Sequence, residues 1–223
     1  MVTDLGAEVV IVATGAKRVR PDVPGADLPH VLSGDDLRAL LTGDNPSAAK
    51  RLPVHQRILV AVGRALGFLS SIDRVRSLSK RWMPVGRNVI VIGGGLVGIE
   101  LAEFLAERKR SVTVLESGEK FGIEMAHPRR ARALHEARSH GVTLVASAEL
   151  VAIRKGEVDY QVGDEILTAM ADTVVIASGV LPDESLAERF RTAGLDVRVV
   201  GDAASVGYIE GAVRSGYVTA RAL

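Results

Sequence analysis

Hydrophobic positions along this chain cluster in short continuous runs, several of them closed by a small residue and a glycine. The first is Ala7–Ala13, followed by Thr14-Gly15. Uninterrupted β-branched residues predict a strand buried on both faces, as in a parallel sheet. Prolines and a glycine between Pro21 and Pro29 mark a loop, and Ser33-Gly34-Asp35-Asp36 resembles a capping box opening a short helix over Leu37–Leu41. Residues 43–56 are polar and irregular and predict a linker. In 57–82, Ile72, Val75, Leu78 and Trp82 recur at near-helical spacing with basic residues on other faces. That pattern suits a solvated helix packed on its own protein, with a membrane or partner surface as the alternative.

The pattern sharpens after Pro84. Arg87–Ile92 predicts a strand, Gly93–Gly98 a turn, and Ile99–Arg108 a helix with Leu101, Phe104 and Leu105 inward. Val112–Leu115 is the next strand, Pro128–His140 a helix, and Val142–Val145 a third strand. Between Leu150 and Leu167, short alternating segments broken at Lys155-Gly156 and Gly163-Asp164 predict an antiparallel meander. Asp172–Ala177 is another buried strand, and Ile209–Ala222 a last helix. Strand–helix–strand alternation predicts an α/β protein with a doubly wound parallel sheet and right-handed crossovers. Val10–Ala16 and Val174–Val180 are nearly the same phrase written twice, which points to two related domains.

Composition narrows the chemistry. The 223 residues carry 28 Lys+Arg against 27 Asp+Glu, a net charge of +1, so no global field recruits nucleic acid or an anionic membrane. Cysteine is absent, which removes thiolate nucleophiles, redox thiol pairs and cysteine-held iron–sulfur clusters. Redox chemistry would have to come from a bound organic cofactor. No metal site is expected. No apolar run reaches the roughly 18 residues of a membrane-spanning helix, and no signal segment opens the chain, so a cytoplasmic location is expected.

The central motif is Gly93-Gly94-Gly95-Leu96-Val97-Gly98, between a hydrophobic strand and an amphipathic helix. In that context Gly93 permits the tight turn and Gly95 lets backbone approach a pyrophosphate. Gly98 lets helix and strand pack closely, while the helix N-terminus holds the phosphates. Glu116 ends the next strand, where the fingerprint places an acidic residue about 20 positions on to accept from the adenosine ribose. A 2′-phosphate would meet that charge, so NAD(H) is expected over NADP(H). Lys120, Arg129 and Arg130 are the cations that could reverse the preference. Glu100, early in the helix, is explained by the helix dipole or by a place near the nicotinamide. Ser117, Ser178 and Gly179 complete the NAD-binding candidates. No catalytic acid or base is nominated.

With Val199-Val200-Gly201-Asp202-Ala203-Ala204 added, the ordered motifs resemble the two-dinucleotide flavoproteins of the pyridine-nucleotide–disulfide oxidoreductase type. Closest is the C-terminal portion of the 2,4-dienoyl-CoA reductase, trimethylamine dehydrogenase and NADH:flavin oxidoreductase group. The resemblance implies a Rossmann-like NAD(H) domain with a β-meander, inserted between remnants of a second, FAD-type Rossmann domain. It divides the chain into 1–42 and 181–223 for the FAD-type remnant, 43–83 as linker, and 84–180 for NAD(H). It implies FAD contacts at Ala13, Thr14, Gly15, Gly201, Asp202 and Ala212, and hydride delivery from NADH to FAD in the parent protein. No strand–GxGxxG–helix unit precedes Val9, and the FMN barrel and iron–sulfur cysteines of the closest group are missing. The chain is therefore read as a fragment that binds NAD(H) without retaining FAD, its partner being the missing FAD/FMN-binding portion. A scaffold Rossmann unit in an electron-transferring flavoprotein dehydrogenase, and an NAD-sensing module without redox chemistry, are the alternatives.

Overall fold

The structure, a computed structural model, describes residues 6–37, 83 and 85–223. The expected linker and basic helix lie outside them, apart from Met83. Contacts divide the chain into two units, residues 20–178 and residues 1–19 with 179–223.

The larger unit is a five-stranded parallel sheet in the order β3-β10-β4-β5-β6. Its strands are β3 (Val31–Ser33), β4 (Asn88–Ile92), β5 (Ser111–Leu115), β6 (Thr143–Val145) and β10 (Thr173–Ile176). Helix α1 (Leu96–Ala106) joins β4 to β5, and α2 (His127–Ser139) joins β5 to β6. Strand alternation separates two cores. Val89, Val91, Val112, Val114 and Val175 meet Ile99, Ala102 and Leu105 of α1 and Ala137 of α2. Ile90, Ile92, Leu115, Val174 and Ile176 turn to the other face, where Ile153, Val158 and Ala171 of the meander cover them. That meander is β7 (Ala148–Arg154), β8 (Gly156–Val162) and β9 (Glu165–Ala171), paired antiparallel. Residues buried on both faces explain why β4 and β10 read as unbroken apolar runs.

At the opposite end from the glycine turn, β4 is pinned to β10. Asn88 donates from its backbone N–H and side chain to Asp172 at 2.8 and 3.1 Å, and Gly86 N–H donates to Thr173 Oγ1 at 3.0 Å. The expected capping box forms: Ser33 N–H and hydroxyl reach Asp36 Oδ2 at 2.9 and 2.8 Å, and Asp36 N–H returns to Ser33 Oγ at 3.0 Å. Its helical turn occupies residues 34–37, with the rest of the expected helix outside the described residues.

The smaller unit pairs β1 (Val9–Val12) in parallel with β12 (Asp196–Val199). A two-residue ribbon joins β2 (Lys17–Arg18) to β11 (Val180–Leu181). Val10, Val12, Val197 and Val199 pack on Leu186, Ala187 and Phe190 of α3 (Ser185–Thr192). A short 3-10 turn, Gly201–Ala203, then leads to α4 (Tyr208–Arg221).

The contact boundaries fall between Val19 and Arg20, after which β3 pairs with β10 in the larger unit, and between Ser178 and Gly179. One expectation is corrected: β1 is not buried on both faces. Ile11 is 48% exposed, because within its unit only the Val10/Val12 face is covered by α3. Among the described residues no helix is long and apolar enough to cross a membrane.

Candidate dinucleotide site

The site lies at the C-terminal ends of β4, β5 and β10, where β4 turns into α1. Gly93 leaves β4 with φ of 105°, a conformation open to glycine. Its N–H donates to Leu115 O at 2.8 Å, and a side chain there would lie 2.8 Å from Ser178 Cβ at the end of β10. Gly98, on the first turn of α1, faces the Gly93 carbonyl so closely that a Cβ would collide with it. Gly95 precedes the helix with no side-chain cap of its own. The backbone N–H groups of Leu96, Val97 and Gly98 stand at the helix start, ahead of the first intrahelical bond from Ile99 N–H to Gly95 O at 3.1 Å.

Glu116 is tied to this turn. Its carboxylate accepts from Gly94 N–H at 2.5 Å and from Gly118 N–H at 2.8 Å, which orients it along the rim of the glycine loop. Ser117 is exposed, its hydroxyl only 3.5 Å from Glu116 Oε1. The β5–α2 connection, residues 116–126, folds back over the turn: Gly122 N–H donates to Gly94 O at 2.7 Å, and buried Phe121 lies against Gly94. The cavity between them has a volume of about 340 Å³ and is lined by Gly95, Glu116, Glu119, Lys120, Ile123 and Glu124, among others.

Glu124 is the residue the sequence reading missed. Its carboxylate accepts from Leu96 N–H at 3.2 Å and occupies the side of Gly95 where a Cβ would stand, 2.7 Å from Oε1. The available clue was the connection itself, longer than the roughly 2–6 residues usual between strand and helix.

The remaining candidates are distributed as follows. Ser178 joins the glycine turn, but Gly179 belongs to the smaller unit, where its carbonyl accepts from Val19 N–H at 2.6 Å. Glu100 is exposed and ion-pairs with Arg129 of α2 instead of meeting the turn. Arg130 donates to Phe121 O at 2.7 Å. Of the three cations that could reverse the nucleotide preference, Lys120 alone lines the cavity. In the smaller unit, Ala13, Thr14 and Gly15 follow β1, and Val200 N–H donates to Val12 O at 3.0 Å, so Gly201 and Asp202 leave the same edge of the β1–β12 pair. Asp202 Oδ1 accepts from Gly207 and Tyr208 N–H at 2.9 and 3.0 Å, fixing the start of α4. Gly201 N–H donates to Ser215 Oγ at 2.8 Å, and a Cβ on Gly201 would stand 3.4 Å from Ala212.

A parallel sheet whose first strand turns through glycines into a helix, with an acidic residue ending the second strand, defines a Rossmann-class dinucleotide fold. The family profile described as pyridine nucleotide-disulphide oxidoreductase matches residues 2–204. The chain belongs to that family, whose cofactors are NAD(H) and FAD. It is 28% identical over 215 residues to a bilirubin reductase of Mediterraneibacter gnavus, covering 96% of this chain and 27% of that protein. It is 35% identical over 142 residues to an NADH oxidase of Thermoanaerobacter brockii, covering 59% and 21% respectively. The chain thus spans about a quarter of these relatives. The histamine dehydrogenase of Rhizobium sp. 4-9 shares the fold, with a TM-score of 0.67 at 20% identity over all of this chain and 31% of that one.

Proposed function

We propose that the 20–178 unit binds NAD(H) within a longer flavoprotein and presents it to an FAD held elsewhere in that protein. The observation that carries this reading is the joined pair of glycine turn and Glu116: the acidic strand-end residue and the anion-binding helix start are held in one arrangement by the Gly94 N–H bond. Backbone N–H groups at the start of α1 bind the pyrophosphate, with the helix dipole behind them. Glu116 keeps one carboxylate at the rim for the ribose hydroxyls and opposes a 2′-phosphate. Ser178 closes the turn against β10. NADH supplies a hydride to flavin, a step for which the protein provides orientation and needs no side-chain acid or base.

The partner in this reading is the rest of the flavoprotein. Its support is the share of each relative that the chain spans, together with the apolar residues α4 leaves exposed: Ile209, Val213, Tyr217 and Val218. The order of motifs supports the narrower placement with the C-terminal portion of the 2,4-dienoyl-CoA reductase and NADH:flavin oxidoreductase group. Ala13, Thr14, Gly15, Gly201, Asp202 and Ala212 are the proposed FAD contacts in that assembly; the chain by itself is expected to retain no flavin.

Calorimetric titration with NADH and then NADPH tests the reading, after a visible spectrum for flavin. NADH binding at least tenfold tighter, about 1.4 kcal/mol, is the expected result. A folded chain that binds neither nucleotide favours a scaffold unit in an electron-transferring flavoprotein dehydrogenase. That second reading has one observation behind it: a carboxylate, Glu124, already stands at the helix start.

A further inference from the structure

The cradle at the start of α1 is complementary to anions, and one of the chain's own anions is in it. Glu124 Oε2 takes the Leu96 N–H, and its carboxylate covers the open side of Gly95. The absence of a side chain at Gly95 is the feature that admits a pyrophosphate in this fold. Two further contacts hold the connection that carries Glu124 in place: Gly122 N–H on Gly94 O, and Phe121 buried against Gly94. Glu124 itself is exposed, so desolvation does not force it there. A phosphate and this carboxylate seek the same N–H groups with the same sign of charge.

We propose that Glu124 is an internal competitor for the dinucleotide phosphates, a latch on the 116–126 connection that keeps the site closed until a pyrophosphate displaces it. The proposal rests on the nicotinamide-binding reading above for the identity of the natural ligand, but the competition concerns any diphosphate. Displacement needs only the exposed Glu124 side chain to swing outward, while the Gly94 and Gly118 bonds keep Glu116 at the rim. The latch sets affinity: it weakens phosphate binding without touching recognition of the adenosine.

The test compares the unsubstituted chain with Glu124→Gln, which keeps a hydrogen-bond acceptor of the same length and removes the charge. Three probes are titrated calorimetrically: NADH, inorganic pyrophosphate and adenosine. Pyrophosphate and NADH are expected to bind Glu124→Gln roughly tenfold or more tightly, with adenosine unchanged. A Glu124→Ala variant, which also removes the hydrogen bond, should shift in the same direction, and thermal melts confirm that both variants fold. Equal or weaker pyrophosphate binding by both variants overturns the latch. If NADH binds all three proteins equally well, the latch fails and the nicotinamide reading stands. If pyrophosphate tightens while NADH binds none of them, the latch stands and the nicotinamide reading falls.

Discussion

The three motif glycines are held to different standards by their neighbours, and substitution should separate them. At Gly98 a Cβ would run into the Gly93 carbonyl, a backbone atom that cannot step aside without moving β4 or α1. Gly98→Ala should therefore cost about 1–3 kcal/mol of stability, read by denaturant unfolding. At Gly95 the nearest atoms are the carboxylate oxygens of Glu124, the far end of a flexible exposed side chain. Gly95→Ala should leave the melting temperature nearly unchanged while abolishing measurable NADH binding by calorimetry. A Gly95→Ala protein that unfolds with the Gly98 variant would show that the turn is purely architectural. The tight turn at Gly93 and the close helix–strand packing at Gly98 were legible in the sequence because the motif sits between a strand and a helix. Glu124 was not, since no local pattern marks a loop residue that bonds Leu96 from the far end of the next βα connection.

At the scale of elements, the α1–α2 surface carries a frustrated acid. Glu103 is half-buried, and its carboxyl is held above the ordinary value first by that burial and then by Glu136, Glu107 and Glu100, with His140 opposing. A carboxyl raised on folding binds its proton more tightly in the native state. Stability is therefore reduced where Glu103 is ionised, above its raised value, and the reduction is relieved as pH falls through that value toward the ordinary one. Glu103→Gln should stabilise the protein by about 0.2–0.5 kcal/mol at neutral pH, the size of one or two like-charge helix pairs. Paired melts at about pH 4 and about pH 7.5 check this; a gain of equal size at both would rule out charge as its cause. The elements themselves were read unevenly. Strands β4, β5 and β10, helices α1, α2 and α4, and the meander were visible from apolar runs and period. Strand β3 was not: Val31–Ser33 is three residues long, and its strand character comes from pairing with β10, more than a hundred positions away in sequence. Helix α3 went unread because it is only eight residues long and offers just three apolar positions, Leu186, Ala187 and Phe190, too few to set a helical period.

For the whole molecule, the two units carry very different amounts of structure, and this decides what the chain can do alone. The 20–178 unit has a sheet with a helix layer on one face and the meander on the other, so the central strands β4, β5 and β10 are paired on both sides and mostly buried. Among the described residues of the smaller unit, a two-stranded parallel pair is covered on one face by α3, and α4 has no buried residue. Two strands without a covered second face are marginal in water, and Ile209 at 84% and Val213 at 67% exposed add nothing to a core. Two units that read as near-copies in their strand phrases are thus expected to differ in stability, because sequence similarity between Val10–Ala16 and Val174–Val180 carries no information about what lies on either side. Native-state hydrogen exchange should show it directly. The amides of β4, β5 and β10 are expected to exchange at the rate of global unfolding, and those of β1 and β12 at least about tenfold faster, through local opening. NADH should slow exchange at the glycine turn and along residues 116–126, and leave β1 and β12 unprotected, since under the proposed function the smaller unit is completed by protein rather than by nucleotide. Protection of β1 and β12 equal to that of β4 in the free chain would mean that the smaller unit is complete as it stands, and would remove the main structural support for a flavin-bearing partner.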